Sequence, residues 1–76
     1  MSKQEMLIEY ITQDIIELLS EEMHIEFDEA MNIFYSSVTF DKLSDIETGL
    51  YLESSAYILG LLSDELKTGT FIQNEI

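Results

Sequence analysis

The sequence predicts an all-α domain, a compact bundle of three to four helices with a short turn or extended segment around residues 47–54 before the last helix. Three observations carry that expectation. Apolar residues recur at three- and four-residue spacing through most of the chain, as helices with one buried face require. No proline interrupts them, and Gly49 and Gly69 fall where helical runs stop. The hydrophobic content of 46% is that of a folded domain rather than of an acidic disordered tail.

Taken in order, Ser2-Lys3-Gln4-Glu5 has the capping-box form, a serine followed three residues later by glutamate ahead of an apolar run. The first helix is predicted from about Lys3 to Met23. Its apolar lines, Leu7-Ile11-Ile15-Leu18 and Ile8-Ile15-Leu19-Met23, cover about half the circumference, more than the stripe of about 100° a surface helix needs. Such a width implies contact with more than one neighbour. His24-Ile25-Glu26 breaks the rhythm, and a second helix is predicted from about Phe27 to Ser36, with Phe27, Ala30, Met31, Phe34 and Val38 on one face. Thr39 is the expected cap of a short third helix through Phe40, Leu43 and Ile46.

Gly49 then suits a turn. Leu50-Tyr51-Leu52 reads as a short extended segment, and three residues make no sheet without a partner such as a second copy of the chain. Ser54 or Ser55 caps a last helix running to about Lys67, with Ile58, Leu59, Leu62 and Leu66 on its apolar face. Gly60 inside it marks either a close helix crossing or an ordinary surface position. The whole of 1–76 is expected to be one small acidic helical domain, its tail 70–76 free to fray.

A chain of 76 residues buries only about 60% of the surface its unfolded form exposes, so self-association is the expected support in the absence of cysteine. A homodimer through the broad face of the first or last helix meets that need. The charge narrows the partners further. Sixteen acids stand against three basic residues, all lysine, for a net charge of −13. Phosphate-backbone binding needs clustered Lys or Arg, so direct nucleic-acid binding is not expected, whereas a basic protein suits this surface. Nor is a membrane expected, because no apolar run approaches the length of a span and no signal peptide is visible. The expected location is cytoplasmic.

Candidate chemistry is thin. His24 is the lone histidine and is expected to serve as a residue of a helix C-terminus, where the dipole favours it, with no second His or Cys to complete a metal site. Glu21-Glu22 and Asp28-Glu29 fall on polar faces and read as solvated acids. Asp41, Ser44, Asp45 and Glu47 supply oxygen ligands but not the order of a calcium-binding loop. Ser36-Ser37 and Ser54-Ser55 lack a nucleophile elbow and an activating base, so they read as helix ends and caps. No enzyme activity and no cofactor are predicted. The partner-binding candidates are Tyr35, Leu50, Tyr51, Leu52 and Glu53, because tyrosine buries area while keeping its hydroxyl paired and the 50–52 edge lacks a neighbour.

Phe27-Asp28-Glu29-Ala30, Phe34-Tyr35-Ser36-Ser37, Leu43 and Glu47 to Ser54 with Tyr57-Ile58 together resemble a group of short, acidic, uncharacterised bacterial proteins. Related short domains of the form Thr-Gly-x-x-Tyr-x-x-Glu/Asp occur in gene pairs that look like toxin–antitoxin loci, a spacing that Tyr51 and Glu53 match loosely. The resemblance spans about residues 5 to 66 and implies an all-helical, cytoplasmic, non-enzymatic protein. The function expected is a protein–protein interaction module with an acidic surface, an antitoxin-like or regulatory partner of a basic protein. The alternatives are a structural homodimeric domain and a nucleic-acid-mimicking inhibitor whose carboxylates occupy a DNA-binding protein's groove.

Overall fold

A computed structural model describes residues 2–69, which form four α-helices and two 3-10 turns. Helix α1 spans Lys3–Met23, α2 Phe27–Tyr35, α3 Val38–Ser44 and α4 Ser55–Thr68, with the 3-10 turns at Ile46–Thr48 and Leu50–Leu52. The all-α bundle expected from the sequence is therefore what forms; the tail 70–76 lies outside the described residues. The helices pack into a body of 32 × 29 × 18 Å, α1 against α2 and α4, and α3 against α2 and α4.

Helix α1 starts where the capping box places it. The Glu5 N–H donates to Ser2 Oγ at 3.1 Å, and the Ser2 N–H donates to Glu5 Oε1 at 3.0 Å. The helix ends at His24, whose φ of 55° puts a non-glycine residue in the left-handed region. There the Ile25 N–H reaches back to the Ser20 carbonyl at 3.1 Å, and the Ser20 hydroxyl donates to the Ile25 carbonyl at 2.7 Å. His24 thus stands at the helix C-terminus, as its sequence position suggests. Between these ends α1 meets α2, α4 and the Leu50–Leu52 turn, which accounts for its wide apolar face.

The core draws Ile11, Ile15, Ile16 and Leu19 from α1, Ala30 and Phe34 from α2, Leu43 from α3, Leu50 from the second turn, and Ile58, Leu61 and Leu62 from α4. Phe27, Leu18, Val38, Ile46 and Leu66, all placed on apolar lines by periodicity, are exposed instead. The lines are too wide for a bundle this thin, and their edges fall outside the contact.

Helix α3 begins two residues earlier than expected. Ser37, not Thr39, is its N-cap, accepting from the Phe40 N–H at 3.0 Å and donating to the Phe34 carbonyl. Thr39 is fully buried within the first turn and bonds to α4. Val38 belongs to this helix rather than to α2, which stops at Tyr35.

The 47–54 stretch is the main local correction. Leu50-Tyr51-Leu52 is not extended but makes one 3-10 turn, so it offers no strand edge to a second copy. The reason is Gly49, at a φ of 71°, which reverses the chain between two turns and leaves Leu50 pointing into the core. Helix α4 follows with Ser54 as N-cap, accepting from the Tyr57 N–H at 3.1 Å, and stops at Gly69 with a φ of 77°. Gly60 is exposed with open space where a Cβ would stand, so it marks no close crossing.

Candidate functional site

The Ser36–Ser37 corner sets the last residue of α2 and the first turn of α3 over one side of α1. Tyr35 and Phe40 meet there edge to face, ring centroids 4.8 Å apart and planes at 80°, and Phe34 supports Phe40 from the core at 5.3 Å and 71°. Ile8, Glu9, Thr12 and Gln13 of α1 face them at three- and four-residue spacing. Together the six side chains line a groove of about 410 Å³.

The groove has a mixed floor and an acidic edge. Ile8 and Phe40 are half-buried and apolar, while Glu9 and Gln13 are exposed. Thr12 is buried, and its hydroxyl donates to the Ile8 carbonyl at 2.7 Å, which leaves only its lone pairs for a visitor. None of the three lysines lines the groove.

Of the predicted partner-binding residues, only Tyr35, 45% exposed, belongs to this groove. Leu50 is 1% exposed and serves the core of the chain, turned inward by the reversal at Gly49. Tyr51 is half-buried against that core, whereas Leu52 is 71% exposed and Glu53 is exposed beside it. The structure therefore does not gather the five into one surface. The groove residues that sequence reasoning missed are Ile8, Glu9, Thr12, Gln13 and Phe40. A usable signal existed in Thr12, a polar residue on the buried line of α1, and in two aromatics five positions apart across a helix break.

Elsewhere polar side chains are occupied by structure. Glu65 of α4 accepts from the Val38 N–H and the Thr39 N–H, both at 2.9 Å, and from the Thr39 hydroxyl at 2.7 Å. Burial alone would raise its carboxyl, but the bonds from Val38 and Thr39 outweigh it and hold the group below the usual glutamate range. Glu5 is held low as well, by the Ser2 backbone N–H first and the Ser2 hydroxyl second, against slight burial. The Ser55 hydroxyl donates to Asp14 at 2.9 Å, joining α4 to α1. Asp45 spends one oxygen on the Glu47 N–H at 3.1 Å. Among the described residues no group of three or more His, Asp or Glu side chains is placed to hold a metal ion, and no helix is long and apolar enough to cross a membrane. The chain matches no protein-family model, no curated protein and no solved structure.

Proposed function

We propose that the protein is a non-catalytic, acidic protein-binding module that engages a basic partner, an antitoxin-like or regulatory role exercised in the cytoplasm. The observation that carries this is the open Tyr35–Phe40 groove, edged by Glu9, on a chain with a net charge of −13. Long-range attraction brings a basic surface in, and burial of a small aromatic patch slows its departure. Added salt would slow the encounter by screening, with a Debye length of about 8 Å at physiological ionic strength.

The test is affinity capture by the full chain from native lysate, with mass spectrometry and light scattering alongside. A basic protein held by the wild-type chain and released by Y35A supports the reading. A monomer that captures nothing basic overturns it. The homodimer remains a second reading on one observation: Met6, Leu7 and Tyr10 are all exposed along the first turns of α1, Tyr10 by 68%. The inward part of the broad α1 face is buried within the chain, so a dimer contact through the start of α1 would fall to these residues. A dimer mass with no captured partner favours that reading.

A further inference from the structure

We infer that the groove between α1 and the α2–α3 corner is the seat of one arginine side chain from the basic partner. This rests on the protein-binding reading and adds the chemistry of its central contact. Three features of the lining point to a cation with many donors. Tyr35 and Phe40 both line the groove, nearly perpendicular at 80°, so a flat cation entering it can lie over an aromatic face. Glu9 supplies the only formal charge in the lining, and no lysine of the chain lines the groove to neutralise it.

The polar lining offers acceptors. The Thr12 hydroxyl hydrogen is committed to the Ile8 carbonyl at 2.7 Å, so Thr12 can only accept, and the exposed Gln13 brings an amide oxygen beside its NH2. Ile8 gives apolar surface for the methylene stem, which long basic side chains bury while keeping the head polar. A volume of about 410 Å³ leaves room for that side chain with water around it. Arginine fits better than lysine because its planar guanidinium stacks on aromatic rings and can fork to a carboxylate, whereas an ammonium is a compact, strongly hydrated point charge.

The experiment is a titration of the full ¹⁵N-labelled chain, followed by amide shifts, with N-acetyl-arginine N-methylamide and its citrulline and lysine counterparts. Shifts concentrated at Glu9, Thr12, Gln13, Tyr35 and Phe40 are expected for the arginine compound. Citrulline, which keeps the shape but not the charge, should bind about ten-fold more weakly. Tyr35→Ala should weaken arginine binding by about two- to five-fold, while Tyr35→Phe, which keeps the ring, should not. Glu9→Gln, an exposed change that leaves the core alone, should weaken it comparably.

Equal binding of citrulline, shifts spread evenly over the acids of α3 and α4, or a lysine compound bound as tightly as arginine would each overturn the inference. The partner-capture assay separates the two levels. A basic partner held equally by wild type, E9Q and Y35A overturns the groove as the arginine seat and leaves the protein-binding module standing. Arginine bound in the groove with no basic partner captured does the reverse.

Discussion

Compare the corner that leads into α3, at Ser36–Ser37, with the pair of 3-10 turns that leads out of it, at residues 46–52. Into α3, the local Ser37 cap is joined by a hold from a distance: Glu65, 26 and 27 residues further on, accepts from the N–H groups of Val38 and Thr39 together with the Thr39 hydroxyl. Out of α3, the bonds are local. The Thr48 hydroxyl reaches the Lys42 carbonyl at 2.6 Å and the Asp45 carbonyl at 2.8 Å, and its oxygen accepts from the Leu50 N–H at 3.2 Å. The exit gains depth from Leu50 alone, the one residue of the two turns that is buried. One connection is thus a charged tertiary clasp and the other a self-made turn with an apolar anchor. They should fail under different perturbations.

The largest effect belongs to the anchor. Leu50→Ala should destabilise the chain by about 2–5 kcal/mol, the range for deleting a buried leucine side chain, against a typical total of about 5–15 kcal/mol. A urea titration would show it as a fall in midpoint at constant slope. A loss below about 1 kcal/mol would mean that the turn holds without its anchor, since truncating a truly packed leucine costs more than that.

Next comes the clasp. Glu65→Ala strips a charged acceptor from two backbone donors and a buried hydroxyl, an expected loss of about 2–3 kcal/mol. Amide exchange at Val38 and Thr39 should accelerate while that at Leu50 is unchanged, which is the comparison in one measurement. If Leu50 accelerates equally, α3 and its exit form one unit and the contrast fails.

Acidity tests the clasp in another way. Glu65 is held below its ordinary value in the folded chain, so its contribution is complete above the unfolded glutamate range and is lost as pH falls through the lower folded value. General repulsion among sixteen acids acts in the opposite sense, because protonation relieves it. Wild type should therefore be compared with Glu65→Gln, in which that shared background cancels. The stability gap between them should narrow below about pH 4.5, the ordinary glutamate value. A gap that stays constant from neutral to acid pH would show that the carboxylate's charge contributes nothing at the clasp.

What the sequence made legible follows the same division. The capping box at Ser2, the stops at Gly49 and Gly69 and the full extent of α1 are local matters, set by residues a few positions apart, and each could be read in advance. Glu65 could not. Nothing within α4 distinguishes it from the other acids, and only the fold of α3 against α4 shows which donors it meets. Leu50 failed for a related reason: an alternating Leu-Tyr-Leu reads as extended until the left-handed Gly49 turns it inward. The groove was half legible. Tyr35 stands out by its residue type, whereas Glu9, Thr12 and Gln13 join it only because α2 returns along α1 and ends beside them.

The smallest effect tests how local the exit is. Thr48→Val keeps the shape of the side chain but removes the hydroxyl that links Lys42, Asp45 and Leu50. Thr48 is exposed, so water can take over the freed backbone groups, and the expected loss is about 0.5–1 kcal/mol rather than the cost of a buried orphan. The change should appear as faster exchange at the Leu50 amide with no change at Val38 or Thr39, the mirror image of Glu65→Ala. Because the two sites share no partner, the double variant should lose the sum of the single effects to within about 0.5 kcal/mol. A larger departure from additivity would mean that α3 transmits strain from its entry to its exit. The seven residues between them would then behave as one rigid lever instead of a helix pinned separately at each end.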